Sequence, residues 1–323
     1  MQYTQLSRRS AGDKLKWERQ YLTFIPVEDA VFSWAERATS GHLEYSLNGG
    51  QTWVTITDGE STPTIAADSK VIWRGDLVPN TTNTNGGIGT FSASGNYNAY
   101  GNTMSLLFYD NYYGSQIPTN YYNYTFRRLF YDDTHILSAP LLPATTLASN
   151  CYESMFYGCT SLTAAPNLPA TTLVYYCYRS MFQGCTSLTT APALPATKLV
   201  NYCYSGMFRE CTSLTTAPEL PATTLANGCY GGMFYNCTSL TTAPELPATT
   251  LVSDCYAMMF FGCTNLNYIK CLATDVPPAQ GCTYFWLRLV PSTGTFVKAA
   301  GMEDWSTGPS GIPSGWTVID DNS

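Results

Sequence analysis

Charge is scarce in this chain: Asp, Glu, Lys and Arg supply only 12% of its 323 residues, about half the usual globular share. Basic residues are the scarcer kind, 16 against 23 acidic ones, so the formal charge is −7. Phosphate backbones need a basic face, so nucleic acid is disfavoured as a partner, and an anionic membrane for the same reason. Long apolar runs are also missing. Nothing approaches the roughly 18 to 20 residues that span a bilayer, which predicts a soluble protein with no membrane insertion. The opening stretch MQYTQLSRRSAGDKLKWERQYLTF has basic residues but no apolar run of signal-peptide length behind them. It reads as a trimmed chain or as one never routed through a secretion channel.

The chemistry of catalysis is thinly supplied. There are two histidines, His42 and His135, and no CxxC pair among twelve cysteines, which argues against a zinc site. Neither histidine sits in a recognisable Ser/His/Asp motif, and no phosphate loop is present. A nucleophilic cysteine needs a base and an electropositive setting, and none is visible. The carboxylate pairs Asp132/Asp133 and Asp320/Asp321 lie in turn-like polar sequence and read as solvated. The expectation is a non-enzyme with no catalytic residue, no metal and no cofactor.

What is abundant is repetition. CYxxMFxxCTxL begins at Cys151, Cys177, Cys203, Cys229 and Cys255, and APxLPAT begins at Ala139, Ala165, Ala191, Ala217 and Ala243, each spaced by 26 residues. A period between 20 and 29 with fixed Leu, Met and Phe is the leucine-rich-repeat signature, one short strand and one helical turn per coil. Leu214, Leu220 and Leu225 are the inward anchors of one coil, while Pro218 and Pro221 lack backbone donors and bar a regular strand ladder. Cys203, Met207 and Cys211 stand four apart with Phe208 beside them, which predicts one core-facing side of a helical turn or two. No coil buries its own apolar side, so neighbours must stack and the ends need caps. Ten of the cysteines belong to this pattern. Disulfides are open to them in an oxidising compartment, but coil-by-coil repetition is explained more simply by a ladder of free, buried thiols.

The predicted fold class is β-rich α+β: a small N-terminal β-sandwich, then a solenoid of 26-residue leucine-rich repeats, then a C-terminal cap. Residues 1–19 form a basic arm, since residues 1–20 carry +3 and leave −10 for the rest; it reads as a solvated terminus or as a dock for an acidic partner. Residues 20–78 hold strand-like runs separated by Gly, Asn and Asp turns, with a hairpin signal at Asn48-Gly49-Gly50. Residues 79–124, rich in Tyr, Asn and Gly, read as a linker or as degenerate opening coils. The solenoid runs from 125 to 290, its first coil atypical because Thr125 and Asp133 replace the cysteines. Residues 291–323, with Trp305 and Trp316, cover the open end.

Five near-copies in one chain can be compared with each other. Two windows vary while the framework holds: the pair before the first cysteine (Ser149 and Asn150, Tyr175 and Tyr176, Asn201 and Tyr202) and positions within the turn (Glu153, Ser154, Tyr157, Arg179, Arg209, Tyr235). They alternate with the inward positions, which predicts an exposed stripe. Its Tyr, Asn, Ser, Gly and Arg palette suits a binding surface; unconstrained surface drift is the other reading. Candidate ligand-binding residues are therefore Tyr157, Tyr175, Tyr176, Arg179, Tyr202, Arg209 and Tyr235. A second group, Tyr112, Tyr113, Tyr121 and Tyr122, belongs to a tyrosine cluster with Tyr109, Tyr124 and Tyr131, suited to stacking sugars or to packing a cap.

The CTSLTxxPxLPATTL and CYxxMFxxC units resemble the BspA-like leucine-rich repeats of surface proteins of gut Bacteroidetes and of their phages, over about residues 125 to 290. YLTFIPVEDAVFSW, EYSLNGGQTW, KVIWRG and TGTFVKAAGMEDWSTGPSGIPSGWTV are similar to segments flanking such repeats. The resemblance implies adhesion or receptor recognition and transfers no binding residue. It separates into a phage receptor-binding or fibre protein, assembled in the host cytoplasm into the virion, and a bacterial cell-surface adhesin. Free thiols and the lack of a leader favour the phage reading. The expected partners are a host-surface glycan or protein, and virion structural proteins through residues 1–78, with a homo-oligomer left open. A polysaccharide-cleaving tail enzyme is the alternative of another class.

Overall fold

The computed structural model describes residues 20–82, 86–111, 114–118, 122–276, 281–302 and 305–322. The basic arm expected at 1–19 lies outside the described residues. The protein is β-rich: Ser105–Phe108 is the only α-helix among the described residues, followed by a single 3-10 turn at Tyr109–Asn111. No helix among them is long and apolar enough to cross a membrane.

The N-terminal strands are β1 (Leu22–Pro26), β2 (Phe32–Glu36), β3 (Leu43–Ser46), β4 (Val54–Ile56), β5 (Val71–Gly75), β6 (Gly89–Ala93) and β7 (Tyr97–Tyr100). With β8 (Ile136–Ser138) they make a six-stranded sheet ordered β4-β3-β5-β1-β7-β8 and a two-stranded sheet β2-β6. Alternation drives the pairing: Leu22 and Phe24 on β1 and Val71 and Trp73 on β5 turn inward, in antiparallel register. The sheets meet through rings, Phe24 lying 5.1 Å from Phe32 and 5.0 Å from Phe91, and Trp73 lying 4.9 Å from Phe91.

The boundary expected at residue 78 does not hold. β6 and β7 fall inside the segment read as a linker or opening coils, yet β6 is the one named strand paired with β2 among the described residues and β7 lies between β1 and β8. The reason is non-local: β2 and β1 have unpaired edges that only residues 89–100 fill. β8 belongs to the first 26-residue unit and pairs in parallel with β7, so the sheets and the repeats share one continuous core. Further along that segment Asn102 and Gln116 bridge in parallel to Leu141 and Thr146 of the first unit.

The CYxxMFxxC segments are not helical, contrary to expectation. They are ribbons of overlapping β-turns in which alternate N–H groups have different destinations. Cys151, Glu153, Met155, Tyr157 and Cys159 each donate to the carbonyl three residues back, whereas Asn150, Tyr152, Ser154, Phe156 and Gly158 donate to Tyr175, Cys177, Arg179, Met181 and Gln183 of the next unit at 2.8 to 3.0 Å. Both carbonyl sets are thereby used as well, which is what burial demands of backbone polar groups. φ turns positive every fourth residue, at Asn150, Ser154 and Gly158 and their equivalents in each later unit. The result is a two-in, two-out pattern: Cys151, Tyr152, Met155, Phe156 and Cys159 are buried in the core, and the pairs between them lie on the other side of the ribbon.

Stacking aligns identical residues. Phe130, Phe156, Phe182, Phe208, Phe234 and Phe260 form one column with centroids 5.4 to 5.8 Å apart and planes within 10°. Phe126 and the five tyrosines from Tyr152 to Tyr256 form a second, closed by Trp286 at 6.3 Å and then Trp305 at 5.5 Å. Each such ring pair adds about 0.5 to 1.5 kcal/mol beyond area burial. Through the proline segments the units share only isolated parallel bridges, such as Thr190↔Thr216. Past Leu266 three segments are free of proline and form a regular parallel sheet, β9 (Tyr268–Cys271), β10 (Thr295–Ala299) and β11 (Thr317–Asp321), ordered β11-β10-β9.

All twelve cysteines are free and buried. The second of each unit is more than an apolar filler, because its thiol donates to the phenylalanine carbonyl of the preceding unit. Cys159, Cys185, Cys211, Cys237 and Cys263 reach Phe130, Phe156, Phe182, Phe208 and Phe234 at 2.9 to 3.1 Å. In the first unit Asp133 takes this place and, contrary to its reading as solvated, is buried, accepting from the Tyr97 hydroxyl at 2.8 Å and the His135 amide at 3.0 Å. Burial pushes its carboxyl above the ordinary range, opposed by the Tyr97 bond. The other carboxylate pair is likewise engaged, Asp320 with Lys298 and Asp321 with Lys270.

Burial raises the thiols of Cys151, Cys229, Cys263 and Cys271 to about 12. A group that holds its proton in the folded state and loses it near 9 when unfolded stabilises the fold fully below pH 9, and that contribution is lost as pH rises toward 12. Native protein at pH 8 is therefore expected to be inert to a thiol reagent and to expose twelve thiols on unfolding, with its melting temperature falling steeply above pH 9. Rapid native labelling of several thiols, or a flat profile from pH 8 to 11, would refute the ladder.

Candidate functional site

The outward pairs of the ribbons form the candidate surface. In each pair the second residue carries the positive φ, a conformation that favours glycine and, less strongly, Asn and Asp, and costs other residues about 1 to 2 kcal/mol. Asn150, Gly158, Gly184, Gly206, Gly228, Gly232, Asn236, Asp254 and Gly262 stand there. Part of the Gly and Asn palette that reads as a binding surface is thus set by the backbone. The first residue of each pair has no such constraint and supplies Glu153 and Tyr157, Tyr175 and Arg179, Arg209, Tyr235 and Phe261, while Tyr176 and Tyr202 occupy second positions in spite of the positive φ.

The structure brings four of the expected residues together. Tyr175, 43% exposed, meets Tyr176 edge-on at 4.1 Å, and Tyr176 stacks on Tyr202 of the next unit at 5.1 Å. The Arg179 guanidinium lies over Tyr176 at 5.1 Å. The Tyr175 hydroxyl bonding to Tyr176, with burial adding to it, pushes the Tyr176 phenol up to about 12, so that phenol keeps its proton near pH 7. Tyr202 lies flat along Gly228, where a Cβ would come within 2.3 Å of its ring. The same tiling places the Asp132 carboxylate over Gly158 and the Asn236 amide over Gly262. The outcome is a paved aromatic platform with one cation at its rim.

The other expected residues lie elsewhere. Tyr157 stacks on Tyr131 at 4.8 Å and 10°. Arg209 sits 4.0 Å over Tyr235, which stacks on Phe261 at 4.7 Å and 1°, while Arg288 lies 6.0 Å from Phe261 on the far side. Tyr122 packs on Phe108 at 6.4 Å, and Tyr112, Tyr113 and Tyr121 lie outside the described residues. The remaining cluster tyrosines disperse: Tyr109 lies under Arg74 and Tyr124 under Arg127. Phe261 belongs to the second varying window, whereas Tyr131 and Arg288 lie outside both windows; the signal for Tyr131 is the 26-residue column through Tyr157.

One part of the stripe is buried, against expectation. Asn150, Glu153 and Ser154 are each at most 9% exposed. Glu153 is held between units, with Arg127 Nε at 3.1 Å, Arg179 Nη1 at 3.2 Å and Asn150 Nδ2 donating at 2.8 Å. A carboxylate with its oxygens filled this way fixes the register of three units and anchors Arg179 beside the tyrosines. A separate groove of about 400 Å³ lies along the proline segments, between Pro218, Pro221, Pro244 and Pro247, with Glu219 and Glu245 at its rim. Lys270 takes Glu245 at 3.4 Å.

Comparison with protein-family models, with curated proteins and with solved structures found no match to this chain.

The tiling can be tested by substitution. Gly228→Ala places a Cβ in a left-handed conformation and against the Tyr202 ring, and is expected to destabilise by about 2 kcal/mol. Tyr202→Ala in the same background should recover part of that loss in chemical denaturation, and strictly additive losses would show that the ring does not rest on the glycine.

Proposed function

We propose that this protein is a non-enzymatic receptor-binding or fibre protein of a phage virion, and that its repeats form a leucine-rich-repeat solenoid of the BspA-like kind. On this reading residues 1–78 attach to virion structural proteins, and the repeats face a host-surface glycan or protein. The observation that carries it is the platform of Tyr175, Tyr176, Tyr202 and Arg179, amphipathic side chains held in place by backbone rungs and by a buried carboxylate. Rigid aromatic residues give contact area at low entropic cost. The inter-unit hydrogen bonds at a 26-residue repeat support the solenoid reading.

Reduced thiols support the compartment. Five of them are hydrogen-bond donors, and oxidation would remove those protons, which suits a protein folded in a reducing cytoplasm before assembly. The experiment is mass spectrometry and antibody labelling of purified virions, together with adsorption of particles carrying Tyr175→Ala. The expected result is the protein in the particle, adsorption falling about tenfold and an unchanged melting temperature, as for removal of one exposed anchor. Absence from virions, with recovery from a bacterial outer membrane instead, would overturn this in favour of an adhesin.

A further inference from the structure

Away from the tyrosine platform, arginines gather where the N-terminal sheets meet the first unit. Arg37 follows β2, and its amide donates to Ile88 at 3.1 Å; the Ile88 amide donates to Thr125 at 3.1 Å, and the Thr90 hydroxyl donates to the Arg128 carbonyl at 2.9 Å. Three successive backbone rows therefore set Arg37 beside Arg127 and Arg128, a pair of the first ribbon in which Arg127 is buried against Glu153 and Arg128 is half-buried. The row after them holds Glu153, already shared by Arg127 and Arg179.

The charges in this place do not balance. Neither Arg37 nor Arg128 has a carboxylate within salt-bridge distance among the described residues, and the Arg128 Nε is buried with no hydrogen-bond partner. Asp132, the next acid along the ribbon, lies over Gly158 outside salt-bridge distance, though close enough for the Arg128 charge to oppose the rise that burial gives its carboxyl. Burial, and then the neighbouring Arg128 and Arg127 charges, pull the Arg37 guanidinium below its ordinary range. Crowded, partly desolvated cations are costly, and they stand in a chain whose net charge is −7. An oxyanion supplies what they lack, since guanidinium forks match carboxylate and sulfate oxygens in pairs.

The neighbouring rings narrow the ligand. Arg128 lies 4.9 Å over Tyr131, which stacks on Tyr157, so an apolar face adjoins the cations. A pyranose has an apolar C–H face that packs on such rings, and an acidic one carries its charge at the ring edge. We propose that Arg37, Arg127 and Arg128, with the stacked Tyr131 and Tyr157, bind the carboxylate or sulfate of an acidic sugar. This site is distinct from the tyrosine platform and does not depend on the virion reading.

The test is calorimetric titration of the full chain, at low ionic strength, with galacturonic acid, galactose 6-sulfate, inorganic sulfate and galactose. The two acidic sugars are expected to bind saturably, inorganic sulfate more weakly and galactose not at all. Arg37→Gln with Arg128→Gln should weaken the acidic sugars by at least about tenfold, as for loss of charge-assisted bonds. The melting temperature should stay level or rise, because repulsion is relieved; if the double variant does not fold, Arg37→Gln alone carries the same test with a smaller loss. Tyr131→Leu should reduce sugar binding to the level of inorganic sulfate. Undiminished binding by the arginine variants, or no binding of either acidic sugar, would overturn the site. Inorganic sulfate binding as tightly as the sugars would overturn the sugar assignment.

Discussion

Every unit of the repeat sends half of the N–H groups of its turn ribbon into the next unit, and the rest of the structure depends on that division. A helix would spend all its donors internally and leave the units to meet through side chains alone. Alternate donation instead ties backbone to backbone at each rung, so a Tyr or Phe stacks on its own copy and the spacing between units is uniform. It also dictates the positive φ at every fourth residue and hence where Gly and Asn are welcome. A change in the length of one unit would shift every rung beyond it. One such change is absorbed near the end: from Tyr256 onward the partner lies 26 rather than 25 residues ahead, at Cys282, Tyr284, Trp286 and Arg288.

Much of this is legible in the letters, and the failures have physical causes. The period, the inward columns, the interruption of strands by proline and the atypical first unit all follow from Cys, Met, Phe, Leu and Pro at fixed places. A helix and this turn ribbon both fit buried residues four apart, which is why the pattern suggests a helix. The discriminating detail is strictness: a helix advances about 400° over four residues, so an unvarying four-residue pattern drifts off its face. The adjacent pairs Cys-Tyr and Met-Phe, repeated without drift, exclude that. The boundary at residue 78 failed because strand partners are set by empty edges far along the chain. The stripe was legible as positions, but burial of Glu153 was not, since it requires Arg127 and Arg179 from two other units. The arginine cluster joins residues about ninety apart, beyond any local pattern.

The two ends show how such a stack is stopped. At the front, β6 occupies the place of a preceding ribbon, with Ile88 and Phe91 donating to Thr125 and Leu129, and Asp133 replaces the thiol donor with an acceptor for Tyr97. At the back, Trp286 and Trp305 are larger than the tyrosines they follow, and Ser310 and Gly311 accept from Thr283 and from the Trp286 indole. Each terminus thus closes a column with a residue that no internal unit uses.

Because both closures use chemistry foreign to the interior, the middle of the stack is indifferent to how many units it holds. A unit between Cys177 and Cys255 meets on either side what any other unit would offer: a thiol, a phenylalanine carbonyl and a set of waiting amides. Duplication or loss of one 26-residue segment therefore lengthens or shortens the molecule by a single layer without creating a new kind of contact. Reach becomes a quantity that can change in whole steps, while the outward positions of the added layer start as a copy and are free to diverge.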